Sequence, residues 1–284
     1  MIYLVYALLC LIWGSTWVVI KIGLDDAPPF WLAAFRFIIG ALVMILVARF
    51  RGDRLPKRFS ELRKLAFPGI FIYGGSYLLV YWSEVYVDSS LTAVLYSSLP
   101  FFVAGFSIAI IPAEKLKLTG WVGLLLGFLG LLFIFHDSFN RSELIFKGSL
   151  LALGGAAGSA FGTVYIKAYL KEYSITLLSA VQMTVGALII LTAAVIFEPI
   201  SDFKVTAKSV LSISYLAVFG TIGAFLGYYW LLKKIKAIHV SLIAFVTPLV
   251  ALGFGNLIRG EAFSPTTGLG TALILGGILL VVRK

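Results

Sequence analysis

Long apolar runs separated by short polar breaks dominate the chain, and their lengths predict its secondary structure. A helix that crosses a bilayer needs about 20 mostly apolar residues. Ten runs approach this length, and they predict helices over residues 2–22, 31–49, 65–86, 90–111, 117–135, 148–169, 175–197, 209–233, 237–258 and 264–282. The predicted fold is an all-α integral membrane protein with ten transmembrane helices and no extramembrane domain.

The composition agrees with a bilayer environment. Of the 284 residues, 61% are apolar and 13% are charged, whereas soluble domains have about 45–50% apolar and about 25% charged residues. This balance excludes ordinary soluble enzymes, disordered proteins and disulfide-stapled secreted domains. Cys10 is the only cysteine, so no intramolecular disulfide is possible. The stretch from Ile2 lacks a basic n-region and a cleavage site, and we expect it to be a retained span.

The distribution of basic residues predicts the orientation of the spans. Lysine and arginine are retained on the cytoplasmic side of a membrane. If the N-terminus is cytoplasmic, sixteen of the 23 basic residues lie in inner segments, six lie in outer ones, and Arg36 lies within the second span. We therefore expect a protein of the cytoplasmic (inner) membrane with both termini in the cytoplasm. The net charge of +10 then reflects topology and does not indicate nucleic-acid binding.

The chain repeats itself at a spacing of 146–148 residues. The matched pairs include Lys21 with Lys167, Tyr81 with Tyr229, Pro100 with Pro248, and Glu114 with Glu261. These pairs predict a first five-helix repeat over residues 1–137 and a second over residues 147–284. Because five spans is an odd number, the second repeat must enter the membrane upside down. Inverted repeats are a transporter architecture, with the solute site near the midplane where the repeats meet.

Prolines and tyrosines within the spans indicate where a solute path lies. Pro100 and Pro248 each remove a helix hydrogen bond, and a freed carbonyl at midplane depth needs contact with protein or a water-filled cavity. A simple packing kink is the alternative. Tyr73, Tyr77 and Tyr81 share one face of the third span, where their hydroxyls need partners, so we expect them to line a cavity rather than to face lipid.

Arg36 has two interpretations, as a contact for an anion or as a structural partner of Glu84. No acidic residue lies at the predicted centre of a span, so proton coupling and facilitated transport both stay open. The predicted cavity-lining residues are Trp13, Thr16, Trp17, Arg36, Tyr73, Tyr77, Tyr81, Glu84, Tyr96, Pro100, Thr163, Gln182, Thr221, Phe225, Tyr229 and Pro248.

Together these motifs resemble the drug/metabolite transporter superfamily, and within it the EamA-type transporter family. The resemblance covers the whole chain and rests on Trp13-Gly14-Ser15 with Lys21, on Arg36-Phe37, on Pro100 with Glu114, on Pro248 with Gly260-Glu261, and on Gly123, Gly130, Gly270 and Gly277. It implies a central cavity lined by helices 1–4 and 6–9, with helices 5 and 10 outside it. It also implies export of small metabolites or amino acids across a prokaryotic inner membrane. Two departures are Pro112-Ala113 before Glu114, where the family has glycine, and Phe161, where it often has tryptophan.

The sequence therefore predicts a secondary transporter, an exporter of amino acids or other small metabolites that alternates a midplane cavity between the two sides. The alternatives are a multidrug or amine exporter of the same fold and a non-transporting structural or sensory membrane subunit. An enzyme is not indicated, because His136 and His239 lie at span ends on opposite sides. The expected partners are a small-molecule solute, the bilayer, and either a proton or a counter-solute. No cofactor or metal is predicted, and the solute and the oligomeric state stay open.

Overall fold

The computed structural model describes residues 1–87, 89–114, 116–134, 143–259 and 265–282, and within these ranges all regular structure is helical. This confirms the all-α prediction for the described part of the chain. The first half contains α1 (Ile2–Leu24), α2 (Pro29–Phe50), α3 (Phe59–Gly69), α4 (Ser76–Tyr86), α5 (Ser89–Tyr96), α6 (Leu99–Ile110) and α7 (Leu118–Ile134). The second half contains α8 (Glu143–Tyr169), α9 (Ile175–Phe197), α10 (Ala207–Tyr215), α11 (Ala224–Lys234), α12 (Ala237–Ser241), α13 (Ile243–Arg259) and α14 (Pro265–Val282). His136, Gly260 and Glu261 lie outside the described residues.

The helical stretches have the length and polarity of membrane spans. Seven of them are long and apolar enough to cross a bilayer, and they include the continuous stretches Phe59–Tyr86 and Ala207–Lys234. Three apolar helices in the described ranges are shorter: Leu118–Phe133, Ala237–Ala251 and Leu269–Val282. The chain is therefore a multi-pass membrane protein.

Two long spans each contain a π-helical segment, which their apolar pattern does not predict. Residues Ile70–Gly75 join α3 to α4, and residues Leu216–Gly223 join α10 to α11. The two segments are 146–148 residues apart, which is the spacing of the sequence repeat. A π-helical turn holds extra backbone relative to an α-helical turn, so it changes which side chains face inward beyond it.

Helices of the two halves pack against each other in matching pairs. Helix α1 packs on α10 and α11 as α8 packs on α3 and α4, and α2 packs on α9. The contacts between α2 and α9 run in opposite directions along the two helices. Glu198 lies at the start of α2, where it accepts a hydrogen bond from the Phe30 amide, and Met183 lies against Gly40, about halfway along α2. Helices α2 and α9 are therefore antiparallel.

Helices α7 and α14 approach each other through glycines. A β-carbon added to Gly123 would lie 2.5 Å from the carbonyl oxygen of Gly277, and one added to Gly130 would lie 2.6 Å from that of Gly270. Gly123, near the start of α7, contacts Gly277 near the end of α14, whereas Gly130, nearer the end of α7, contacts Gly270 near the start of α14. These helices are therefore also antiparallel. Small residues allow such close approach of membrane helices, and any side chain at these positions would have to separate the two backbones.

The α7–α14 contact gives a testable expectation with a built-in control. A β-carbon at Gly277 would collide with the Gly123 carbonyl, whereas one at the neighbouring Gly276 would meet nothing within 4 Å. We expect Gly277→Ala to lower the apparent melting temperature of the purified protein by about 5 °C, because overpacking of this kind lowers the free energy of unfolding by about 1–3 kcal/mol. Gly276→Ala should leave it unchanged. Equal melting temperatures of the two variants would contradict this packing.

Candidate functional site

A cavity of about 100 Å³ lies between the two halves of the bundle. Helices α1, α2, α4, α5, α6, α8, α11, α12 and α13 and one π-helical segment contribute to its wall. The wall is mostly aromatic and aliphatic, and hydroxyl groups and one guanidinium provide its polar atoms. A small-molecule site has this character, with an apolar lining and a few placed polar groups.

Aromatic rings from both halves form the main part of the wall. The Trp13 ring lies 5.5 Å from the Phe225 ring, and the Trp17 ring lies 6.1 Å from the Tyr96 ring. The Trp13 indole donates a hydrogen bond of 3.2 Å to the carbonyl of Gly220, which fixes the ring against the opposite half. The rings are therefore held in place before any solute arrives.

Arg36 brings a positive charge to this wall from the second turn of α2. The residue is only 1% exposed. Its Nε donates to Thr221 Oγ1 at 2.6 Å, its Nη2 donates to the Gly220 carbonyl at 3.0 Å, and its Nη1 donates to Tyr81 Oη at 3.3 Å. The guanidinium also lies 5.0 Å from the centre of the Tyr77 ring, a cation–π distance. No salt bridge joins Arg36 to a carboxylate among the described residues, Glu84 included.

A second polar cluster lies at the corresponding place of the other half. Tyr73 donates a hydrogen bond of 3.0 Å to the Tyr229 hydroxyl, and Tyr229 donates one of 2.6 Å to Gln182 Oε1. All three side chains are almost completely buried. This cluster joins the two halves of the chain through neutral groups only.

The two clusters occupy equivalent positions of the repeat. Arg36 and Gln182 are 146 residues apart, Tyr81 and Tyr229 are 148 apart, and Tyr73 and Thr221 are 148 apart. We call the first set, Arg36 with Tyr81 and Thr221, the charged triad, and the second, Gln182 with Tyr229 and Tyr73, the neutral triad. Each triad takes two residues from one half and one from the other, and only the first triad contains a charged residue.

Pro100 and Pro248 occupy different positions in their helices. Helix α5 ends before Ser97, and α6 begins at Leu99 with Pro100 in its first turn. Pro248 lies inside α13, where it cannot donate to the carbonyl of Ala244. The hydroxyl of Ser97 lies 2.6 Å from that carbonyl and 2.7 Å from the Ala93 carbonyl, so it donates to either. The freed backbone group of one half is thus reached by a side chain of the other.

The structure separates the predicted site residues into three groups. Seven line the cavity: Trp13, Thr16, Trp17, Arg36, Tyr77, Tyr96 and Phe225. Six lie behind the wall as buried residues in hydrogen bonds: Tyr73, Tyr81, Thr163, Gln182, Thr221 and Tyr229. The other three, Glu84, Pro100 and Pro248, are outside the lining and are buried in their helices.

Several lining residues were missed from the sequence, namely Ser76, Ser159, Tyr228, Ser241 and Thr247. Tyr228 lies next to Tyr229, which matches Tyr81 in the repeat and was chosen for that reason. The π-helical turn before α11 shifts the inward face, so that both tyrosines are buried, and the Tyr228 hydroxyl lies 2.8 Å from that of Thr163. The paired glycines of these segments, such as Gly220 and Gly223, are the only local signal.

Comparison with known proteins gives a consistent result along the whole chain. The EamA-like transporter family matches residues 1–136 and again residues 146–283. The chain is 31% identical over 282 residues to the uncharacterized inner membrane transporter YedA of Escherichia coli K12, covering 96% of this chain and 88% of YedA. It is 30% identical over 271 residues to the uncharacterized transporter YoaV of Bacillus subtilis, covering 95% and 92%. A solved crystal structure with 20% identity superposes with a TM-score of 0.82 over 98% of this chain and 96% of that one, which shows a shared fold.

The bond between Ser97 and the Ala244 carbonyl generates a prediction about stability. Ser97→Ala should lower the free energy of unfolding by about 1–3 kcal/mol, because a buried carbonyl loses its donor. In a Pro248→Ala background the new amide at position 248 can donate to the Ala244 carbonyl, so the same Ser97→Ala change should cost much less. Unfolding in a denaturing detergent measures both values as a double-mutant cycle. Equal costs in the two backgrounds would show that Ser97 does not serve this carbonyl.

Proposed function

Since the chain belongs to the EamA-like transporter family, we propose that it exports small metabolites such as amino acids by alternating access of the cavity between the two halves. The observation that carries the proposal is the position of this cavity. It is enclosed by helices of both halves, and the charged and neutral triads, each built from both halves, lie at or behind its wall. A rearrangement of the two halves would therefore change which side of the membrane the cavity faces.

The directions of the packed helices support an inverted arrangement of the two five-helix repeats, residues 1–137 and 147–284. Equivalent helices α2 and α9 are antiparallel, as are equivalent helices α7 and α14. Helix α1 is also antiparallel to its partner span, since Ser15 lies 2.6 Å from Tyr215 while Leu9 lies against Gly227. With ten alternating spans, opposite directions for equivalent helices are what an upside-down second repeat produces.

The two ends of the bundle differ in a way that supports one state of an alternating cycle. Near the end of α8, Lys167 Nζ donates to the carbonyls of Leu232 and Ile235 at 2.6 and 2.8 Å, and it pairs with Glu114 at 3.7 Å. Glu114 also accepts a hydrogen bond from the Ala237 amide. Lys21, the residue of α1 that is equivalent to Lys167, is exposed. A hydrogen-bonded cluster around Lys167 therefore joins α8 to the end of α11 and to Glu114 at one end of the bundle.

Three further features support the predicted topology and bear on coupling. Helices α7 and α14 pack on each other and contribute no described residue to the cavity wall, which fits a peripheral role. The excess of basic residues in the segments assigned to the cytoplasm supports cytoplasmic termini in an inner membrane. The described lining residues include no carboxylate, which favours a facilitator or a solute exchanger over a carrier that binds its proton in the cavity.

Flux through liposomes tests the proposal. The purified protein, reconstituted into liposomes loaded with amino acids and small metabolites, should release at least one of them down its gradient. Tyr77→Ala should reduce that flux about tenfold, which corresponds to one lost aromatic contact of about 1.4 kcal/mol. Tyr77 lines the cavity, whereas Tyr3 is 88% exposed at the surface of α1.

Tyr3→Ala is the matched control and should retain the full flux. Both variants must elute as folded monodisperse protein before reconstitution. A protein that is folded and inserted but moves no member of a broad solute library would contradict transport. In that case the structural or sensory subunit would become the better interpretation of the fold.

A further inference from the structure

The charge of Arg36 is the least explained feature of the bundle interior. An arginine keeps its charge under all physiological conditions, and a buried charge is costly unless a counter-charge and hydrogen bonds compensate it. The hydrogen bonds of Arg36 go to a threonine hydroxyl, a tyrosine hydroxyl and a backbone carbonyl, all of them neutral. Within the described part of the chain, no carboxylate lies within salt-bridge distance of its guanidinium. The described residues supply hydrogen-bond acceptors for this guanidinium, but no opposite charge within salt-bridge distance of it.

The neutral triad shows that this position does not need a charge for structure. Gln182 occupies the equivalent site in α9, is equally buried, and bonds to Tyr229, the equivalent of Tyr81. An amide therefore joins the equivalent helices, α9 and α11, in the other half. The third member differs, since it is Thr221 in the charged triad and Tyr73 in the neutral one. The neutral triad nevertheless holds this position without a charge, so the cation at position 36 has a role beyond joining the helices.

Arg36 is also part of the cavity wall, whereas Gln182 is not. The Tyr77 ring of the wall lies 5.0 Å from its guanidinium, and the rest of the wall includes the Phe225 ring and the hydroxyls of Thr16 and Ser76. A solute that occupies the cavity thus meets one fixed positive charge within an otherwise apolar and weakly polar surface. One cation matches one negative charge, and planar guanidinium groups bind carboxylates in a forked geometry.

We propose that Arg36 binds the carboxylate of the transported solute, and that the substrates are monoanionic or carboxylate-bearing compounds with an apolar body. The inference rests on the proposed transport function and names the substrate class of the same cavity. It disfavours simple amines and cationic drugs, because the fixed charge repels a second cation. The positive charge of Arg36 is balanced by a carboxylate only when the solute is bound. Binding at this position therefore selects solutes by their charge.

Matched ligand pairs test the proposal without knowledge of the natural solute. The probes are benzoate with benzamide, hexanoate with hexanamide, and indole-3-acetate with indole-3-acetamide, and binding to the purified full chain is measured by calorimetry. The wild type should bind at least one carboxylate about tenfold or more tightly than its amide, as a charge-assisted hydrogen bond predicts. Benzylamine should bind more weakly than benzamide.

Three variants isolate the charge. Arg36→Gln copies the residue of the neutral triad and should abolish the preference for carboxylate over amide. Arg36→Lys keeps the charge and should retain part of that preference. Arg49→Gln removes an exposed charge from the same helix and should leave the preference unchanged. If Arg36→Gln does not fold, the wild-type pairs and Arg36→Lys still decide the question.

Several results would overturn the proposal. Equal affinities of the wild type for carboxylates and amides, full preference in Arg36→Gln, or no carboxylate binding by folded protein would each do so. These results are separable from a failure of the transport proposal. Arg36-dependent carboxylate binding without any flux in liposomes would contradict transport alone. Flux of a neutral or cationic solute that Arg36→Gln leaves intact would contradict only the carboxylate site.

Discussion

The interior of a bilayer contains no water to satisfy polar groups, so each buried polar atom of this bundle has to find its partner within the protein. The chain meets this constraint largely by pairing its two halves. The charged triad, the neutral triad and the contact of Ser97 with the Ala244 carbonyl all cross from one half to the other. The groups that hold the halves together therefore lie around the cavity. A rearrangement that changes the access of the cavity must exchange or strain these same bonds.

The sequence predicts the coarse architecture well because the relevant signals are long. Apolar runs of about 20 residues are sufficient to predict an all-helical membrane protein, and the ordered set of motifs resembles the EamA-type family; both are confirmed. Local backbone departures are not predictable in the same way. The π-helical segments Ile70–Gly75 and Leu216–Gly223 contain ordinary apolar residues and glycines, and such segments are stabilised by tertiary packing rather than by a sequence signature.

The candidate site shows the consequence of these departures. Tyr73, Tyr77 and Tyr81 share a face in a regular helix, yet only Tyr77 lines the cavity. Tyr73 lies within the π-helical segment and bonds to Tyr229, and Tyr81 accepts a hydrogen bond from Arg36. Tyr228 was missed in the other half. Arg36 was recognisable from sequence as a charge within a span. One sequence does not reveal its neutral partners, its place in the cavity wall or its relation to Gln182, because these depend on contacts between distant segments.

The account depends most on the opposite orientation of the two halves, and two surface lysines test it directly. Lys57 and Lys204 are 147 residues apart, and both are exposed in loops. In a Cys10→Ala background, Lys57→Cys and Lys204→Cys can each be labelled in whole cells with a membrane-impermeant maleimide. The account predicts that position 204 reacts from outside, whereas position 57 reacts only after the membrane is permeabilised. Labelling of both positions from the same side would contradict the inverted arrangement and the transport mechanism built on it.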